Sequence, residues 1–306
     1  MRAVLTAALV GASAAAFAAP PELGAPIDPA LFAIQRTIPD GRPGAVALVV
    51  DPLTLAHSRG PTEHFADVRI LDGSHRQVPY VIEYREEPLV VEMTPERADP
   101  PVASPGWVKR SNWTTYRLRL PCPNLPQAQI ALETSARVFQ RGVQLAVVHP
   151  ADRHSRNGRL ETIAATRWDH VAPNEPASTL TLSVTPREAS ELWLSIDEGD
   201  NSALPVTAVR LLLPSYRLRF YRPAGSSLVM VYGRTDLLAP RYDLALVSQD
   251  LLNAEAAEVT PLGERQTTSA RRSLVSPLQF WVFLSIAVAV LLALIVRLTM
   301  RRSDAA

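Results

Sequence analysis

The sequence predicts an all-β fold, with tandem antiparallel β-sandwich or jelly-roll domains followed by a single C-terminal transmembrane helix. Three observations carry that expectation. Short apolar runs with period-two alternation recur every 8 to 12 residues between Phe32 and Tyr232, the signature of many half-buried strands. Proline is abundant, at 27 of 306 residues, while aromatic residues make up 6%, which favours strands and turns over a helical bundle. Leu278 to Val296, LQFWVFLSIAVAVLLALIV, is nineteen residues without a charge. At about 1.5 Å per residue such a helix spans about 28 Å, close to the hydrocarbon thickness of a bilayer.

The two ends of the chain set its expected topology. Residues 1–18 read as a secretory signal: Arg2 supplies the positive charge, Ala3 to Ala16 the apolar region, and Ala16-Phe17-Ala18 a small-x-small cleavage site. Phe280, Trp281 and Phe283 crowd the start of the apolar stretch, where aromatic rings favour the headgroup level, and Arg297, Arg301 and Arg302 follow its end. Basic residues mark the cytoplasmic side. The expected protein is therefore a single-pass protein of a bacterial inner membrane, with its bulk in the periplasm and residues 297–306 inside.

Composition narrows the function classes. Setting aside Arg2, Arg297, Arg301 and Arg302 from the 31 basic residues and Asp304 from the 30 acidic ones leaves 27 against 29. The exported part is near neutral and has no basic stripe, which argues against nucleic acid as a partner. Cys122 is the single cysteine, so no internal disulfide forms, and it lies far from the cleavage site, so it is not a lipoprotein's acylated residue.

Taken in order, Ala45 to Val50 is a continuous apolar run expected of a strand buried on both faces. Ala66 to Leu71, the turn Asp72-Gly73, Gln77 to Tyr84 and Leu89 to Met93 follow, with Pro79 placing its strand at an edge or bulge. These make an N-terminal β-sandwich over residues 19–93. Residues 94–112 carry four prolines and no periodicity, as a linker does. A second sandwich over residues 113–259 is built from Thr114 to Leu120, Ala128 to Leu132, Val143 to Val148, Thr179 to Val184, Glu191 to Ile196, Val206 to Leu213, Tyr216 to Phe220 and Ser227 to Tyr232. Ser248 to Glu258 reads as a helix, and residues 260–277 as a polar tether to the membrane.

Asp67-Val68-Arg69-Ile70 with Asp72-Gly73 and Val78-Pro79-Tyr80, then Asp197-Glu198-Gly199-Asp200-Asn201 with Leu204, then Tyr232-Gly233 and Ala239-Pro240-Arg241-Tyr242-Asp243-Leu244, resemble the bacterial domain-of-unknown-function family numbered 3999. The chain departs from that pattern at Ser202-Ala203, where members carry a proline pair. The resemblance implies an envelope protein with a signal peptide, tandem β-sandwiches and a closing membrane helix, often encoded beside a large multi-pass membrane protein. It implies no known reaction. Arg137 to His149 and Glu191 to Leu213 are also similar to the paired core strands of galactose-binding-like jelly rolls, a fold that commonly binds glycans.

Candidate chemistry is sparse. Asp197, Asp200 and Asn201, with Glu198, place hard oxygen ligands close together at a strand end and are calcium candidates, although such residues also form plain turns. His149, Asp152 and His154 offer transition-metal donors in a loop rich in arginine. Trp107, Trp113, Trp168 and Trp193 offer flat faces to a sugar or fill a core. Cys122, between two prolines, has no evident base. No Gly-x-Ser-x-Gly elbow occurs, and no pair of carboxylates declares itself, so no catalytic residue and no cofactor is assigned. Ser285, Ala289 and Ala293 recur every four residues along one face of the apolar stretch, as small residues do where membrane helices pack. The expected function is a non-catalytic binding or accessory subunit of an envelope assembly, partnered by a multi-pass inner-membrane protein or by self-association through that helix. A periplasmic carbohydrate-binding module with a glycan as ligand is the alternative, and a hydrolase the weaker one.

Overall fold

A computed structural model describes residues 22–99, 112–149, 159–186 and 188–267, together with Trp281 and Ser285. Residues through Gln266 form one compact unit and those from Thr267 a second. The early elements start where local chemistry allows. β1 (Ile34–Ile38) and β2 (Gly44–Val49) are joined by a turn rich in proline and glycine. α1 (Pro52–His57) begins where the Asp51 carboxylate accepts from the Thr54 N–H, with Pro52 at the first helical turn, where its missing N–H has no intrahelical partner to lose. After β3 (Arg69–Leu71), the Asp72 carboxylate accepts from the Ser74 and Arg76 N–H groups and closes the turn. β4 (Tyr80–Met93) starts one residue past Pro79, which has no N–H to give a ladder.

The chain continues through β5 (Glu96–Arg97), β6 (Trp113–Arg119), β7 (Ala128–Thr134), β8 (Phe139–His149), β9 (Arg159–His170), β10 (Leu180–Val184) and β11 (Glu191–Asp197). It returns by β12 (Val206–Arg222) to β13 (Leu228–Tyr232), α2 (Ser248–Asn253), β14 (Ala257–Val259) and β15 (Arg265–Gln266). Among the described residues three sheets result. One has the order β15-β1-β13-β3, a second β10-β7-β12-β2-β14 with β4 also paired to β12, and a third β5-β6-β11-β8-β9. Pairing is antiparallel except where β14 runs parallel to β2. The structure is mostly β with antiparallel sheets, as the all-β expectation requires.

β4 and β12 run beside each other for nearly their whole length and organise the rest. On its other flank β12 meets β7 through Leu212 and β2 from Arg217 onward. One strand thus serves two lobes. Residues 22–85 and 215–266 make the first lobe, and residues 89–213 are inserted into it as the second. The β4 to β12 ladder is interrupted where they meet: Leu89 pairs Leu213 and Arg85 pairs Ser215, leaving residues 86–88 opposite Pro214. The hydrophobic core draws Ile38, Leu48, Leu218, Phe220 and Met230 from the first lobe and Leu118, Ile130, Val143, Leu194 and Val209 from the second.

In this arrangement the strand order does not follow the chain order expected of successive domains. Within residues 94–112, β5 is already part of the sheet of the second lobe, where it pairs with β6 just after that segment. The first lobe is completed only by the C-terminal third of the chain, so residues 19–93 cannot close a sandwich alone. Of the tether expected over residues 260–277, residues 260–266 are built into the first lobe, and those from 268 lie outside the described residues. Residues 1–18, residues 297–306 and the span from Leu278 to Val296 lie outside the described residues, except that Trp281 and Ser285 are helical. Among the described residues no helix is long and apolar enough to cross a membrane.

Candidate functional site: the latch of the C-terminal strap

Residues 257–266 form a strap across the first lobe. β14 extends one sheet beside β2, and β15 extends another beside β1. Between the two strands the Leu262 N–H donates to the Thr37 carbonyl at 2.9 Å. Arg36, on β1, reaches beneath this segment and is 2% exposed. Its Nε donates to the Leu262 carbonyl at 2.6 Å and its Nη2 to the Pro261 carbonyl at 3.1 Å. The same guanidinium grips Asp51 at 2.6 and 2.8 Å, the bidentate geometry for which a planar fork is suited, and donates to Thr54 Oγ1 at 3.0 Å. Burial alone would push the Asp51 carboxyl up, but hydrogen bonds from Arg36 and Thr54 and the Arg36 charge outweigh it and hold the group below its ordinary value.

Glu264 closes the latch from the other side. The buried Tyr232 hydroxyl donates to Glu264 Oε1 at 2.5 Å, and His57 Nδ1 lies 2.8 and 2.9 Å from the two carboxylate oxygens. Burial, then the bond to Glu264, pushes the Tyr232 hydroxyl above its ordinary value. Cys122 sits against the same helix, its Sγ donating to the Pro52 carbonyl at 3.3 Å. Burial and the nearby charges of Asp51 and Glu264 push its thiol up to about 11, so it is a neutral thiol at physiological pH and a poor nucleophile. Each charged group of the latch is taken by another or by a strap carbonyl. The arrangement holds a segment in place; it presents no activated nucleophile.

A second buried network gathers residues from four of the quoted motifs. Asp67, 1% exposed, accepts from the Arg59 N–H at 2.9 Å and the Gly233 N–H at 2.7 Å. Arg69 donates to the carbonyls of Ala66, Val68 and Leu238. The Tyr80 hydroxyl donates to the Val68 carbonyl at 2.9 Å, and its ring meets Tyr242 edge-on with centroids 5.6 Å apart. Tyr242 donates to Gln77 Oε1 at 3.1 Å, and burial pushes its hydroxyl up to about 12. These bonds fasten the 234–244 segment to the turn after β3.

The acidic motif stands apart, in the second lobe. Asp197 Oδ1 accepts from the Gly199 N–H and from Asn112 Nδ2, each at 3.1 Å, and Asn201 Nδ2 donates to the Glu198 carbonyl at 3.0 Å. Glu198 is buried and takes Arg141 Nε at 2.8 Å and the Leu204 N–H at 3.1 Å. Gly199 has φ +58°, the conformation that favours glycine in a turn. Among the described residues no three His, Cys, Asp or Glu side chains gather to hold a metal. His149 pairs with Glu161 at 2.8 Å, while Asp152 and His154 lie outside the described residues.

Of the tryptophans, Trp168 is buried edge-on against Phe139 and donates to the Ser178 carbonyl at 3.2 Å. Trp193 is buried on the central strand β11, Trp113 is half-buried, and Trp107 lies outside the described residues. Ser285 is helical and exposed, and Ala289 and Ala293 are likewise outside the described residues. The latch itself was not foreseen from the sequence. Its one local signal is Asp51-Pro52 with Thr54, the pattern of a capped helix start; Arg36 and Glu264, 228 positions apart, carry none.

No protein-family model matches the chain, and no curated protein matches it. Among solved structures, the CBM22-1 and GH10 modules of a Clostridium thermocellum endo-1,4-β-D-xylanase, complexed with xylohexaose, align at TM-score 0.20 and 11% identity, over 61% of this chain. The chain spans only 28% of that protein's length. A CBM22-1 xylan-binding domain from Paenibacillus barcinonensis aligns at TM-score 0.18 and 12% identity, over 48% of this chain and 97% of that one. A structure of infectious bursal disease virus, Gx strain, aligns at 0.17 and 10%, over 65% and 50%. At TM-scores this low the likenesses carry no argument.

Proposed function

We propose that the chain is a membrane-anchored, periplasmic, non-catalytic accessory subunit of a bacterial envelope assembly, its apolar stretch docking on a multi-pass inner-membrane protein or on a second copy. The observation that supports this reading most is the latch. Two strands, a buried arginine and a buried tyrosine fasten the chain through Gln266, leaving eleven residues before Leu278. A binder that ranges freely over its ligands is served by a long flexible linker, whereas a subunit seated in an assembly gains from a short one that limits the entropy lost on docking. Of the buried charges, Arg36, Asp67, Arg69, Arg141 and Glu198 are likewise committed to an ion-pair partner or to the backbone.

The test is purification of the full chain from membranes in mild detergent. The reading expects a stoichiometric complex with a membrane protein, or a dimer, that Ala289→Leu dissolves while leaving insertion and the soluble fold intact. A monomer without partner, or a chain that stays soluble after cell breakage, would sink it. Retention by immobilised oligosaccharides with no membrane partner would favour the carbohydrate-binding alternative.

A further inference from the structure

Among the described residues the chain passes between the two lobes twice, and both passages lie at one point. It leaves the first lobe between Arg85 and Leu89 and returns between Leu213 and Ser215. There the β4 to β12 ladder is broken, with residues 86–88 opposite Pro214. Pro88 and Pro214 both lack an N–H, so the ladder cannot be closed across them by re-pairing. On its other flank β12 has left β7 at Leu212 and takes up β2 only from Arg217, the Val50 N–H bonding the Tyr216 carbonyl just before. At its waist the sheet therefore narrows to the two strands β4 and β12 with a bulge between them, the place where it resists bending least. Tyr84 and Val90, large apolar residues on either side of that break, are 64% and 48% exposed.

Away from β4 and β12, among the described elements, no strand or helix of one lobe is a close backbone neighbour of an element of the other, although one buried apolar cluster runs through both. Among the described side-chain hydrogen bonds a single one crosses, from Cys122 Sγ in the second lobe to the Pro52 carbonyl of α1. Cys122 and Leu125 are buried in the cluster that also holds Leu55 of α1. That helix is capped by Asp51, which Arg36 grips together with the strap.

We propose that the two lobes are hinged at the Pro88 and Pro214 break and clasped by the turn around Cys122 against α1, so that the second lobe swings relative to the strapped first lobe. Hinges are built from a few residues at element ends that take up the backbone change, and a break in a ladder provides them. The clasp lands beside Asp51, so opening of the second lobe and loosening of the strap act on the same helix.

The test is pulsed electron spin resonance on the full chain in detergent. Cys122 is buried and its thiol is pushed up to about 11, so it labels slowly and can stay native while exposed positions carry the labels. Ser74→Cys with Gln140→Cys reports across the lobes, and Ser74→Cys with Arg42→Cys within the first lobe; all three native residues are exposed. The expected result is an inter-lobe distance distribution about twice as wide as the control, extending to longer distances when Cys122→Ala is added. An inter-lobe distribution as narrow as the control in both backgrounds would overturn the hinge. A broad one that Cys122→Ala leaves unchanged would overturn the clasp.

Discussion

Replacing Arg36 by methionine keeps much of the side chain's volume on β1 and removes all five hydrogen bonds of the latch arginine: two to Asp51 and one each to Thr54, Pro261 and Leu262. What remains is a carboxylate that is 16% exposed and has lost its counter-charge. Stranding one partner of a buried ion pair costs about 3–5 kcal/mol. The residual exposure of Asp51 lets water reach it and draws the value to the lower end, about 3 kcal/mol. Each strap carbonyl left without its donor adds up to about 1 kcal/mol, partly relieved as the strap detaches into water. The total, about 3–4 kcal/mol, is a large share of a stability of about 5–15 kcal/mol. For a body of this size it corresponds to a fall in Tm of about 6–16 °C. The assay is urea and thermal unfolding of the full chain in detergent, followed by tryptophan fluorescence, for Arg36→Met, Asp51→Leu and the double variant. Because Asp51→Leu removes the stranded charge, the double variant should recover about 1.5 kcal/mol or more relative to additivity. A single-variant loss below about 1 kcal/mol, or strict additivity, would refute the latch.

Three further outcomes follow from the same contacts. Gly233 has φ +87°, and a Cβ there would stand 2.9 Å from Ala33 Cβ, so Gly233→Ala should cost about 2–4 kcal/mol in the same unfolding assay, whereas a loss within about 0.5 kcal/mol would show the Asp67 network to be loose. Burial raises the hydroxyls of Tyr80, Tyr232 and Tyr242 above their ordinary value of 10.0, so the folded protein holds these protons more tightly than the unfolded chain. Stability is then full below pH 10 and falls above it, by about 1.4 kcal/mol per pH unit for each such tyrosine, and Tyr242→Phe should lower the slope by about that amount; a variant with an unchanged slope would contradict the assignment. The Asp197 to Asn201 turn is already satisfied by N–H donors and lies beside the Arg141 guanidinium, so millimolar calcium should leave Tm unchanged, and a rise of several degrees would restore the calcium reading.

What could be read from the sequence was the class of structure, and what could not was the order in which the chain visits its parts. Ala45 to Val50 is apolar throughout because β2 is paired on both sides and buried, and that run was legible. Leu89 to Met93 and Val206 to Leu213 were also legible as strands, but as ones separate from Gln77 to Tyr84 and Tyr216 to Phe220, with Pro88 and Pro214 in the gaps. In the structure each proline lies inside a long strand, and the two sit across from each other, so neither removes a donor from an intact ladder. The return of β12 to the first lobe hangs on that point, and with it the single body in place of two successive domains. β9 was missed because most of its side chains are exposed on an edge strand and leave no strong alternation. The latch was missed for a different reason. A hydrogen bond between Arg36 and the Leu262 carbonyl depends on tertiary distance alone, and no local spacing announces it.

Amide hydrogen exchange of residues 257–266 in the full-length protein tests most directly the claim that the strap is fastened to the body. The Leu262 N–H, bonded to Thr37, and the amides of β14 and β15 that pair with β2 and β1 should exchange far more slowly than those of the exposed turn at Gly225. Arg36→Met should bring them to the rate of that turn while the amides of β12 stay protected. Strap amides that exchange as fast as the Gly225 turn in the unaltered protein would contradict the account.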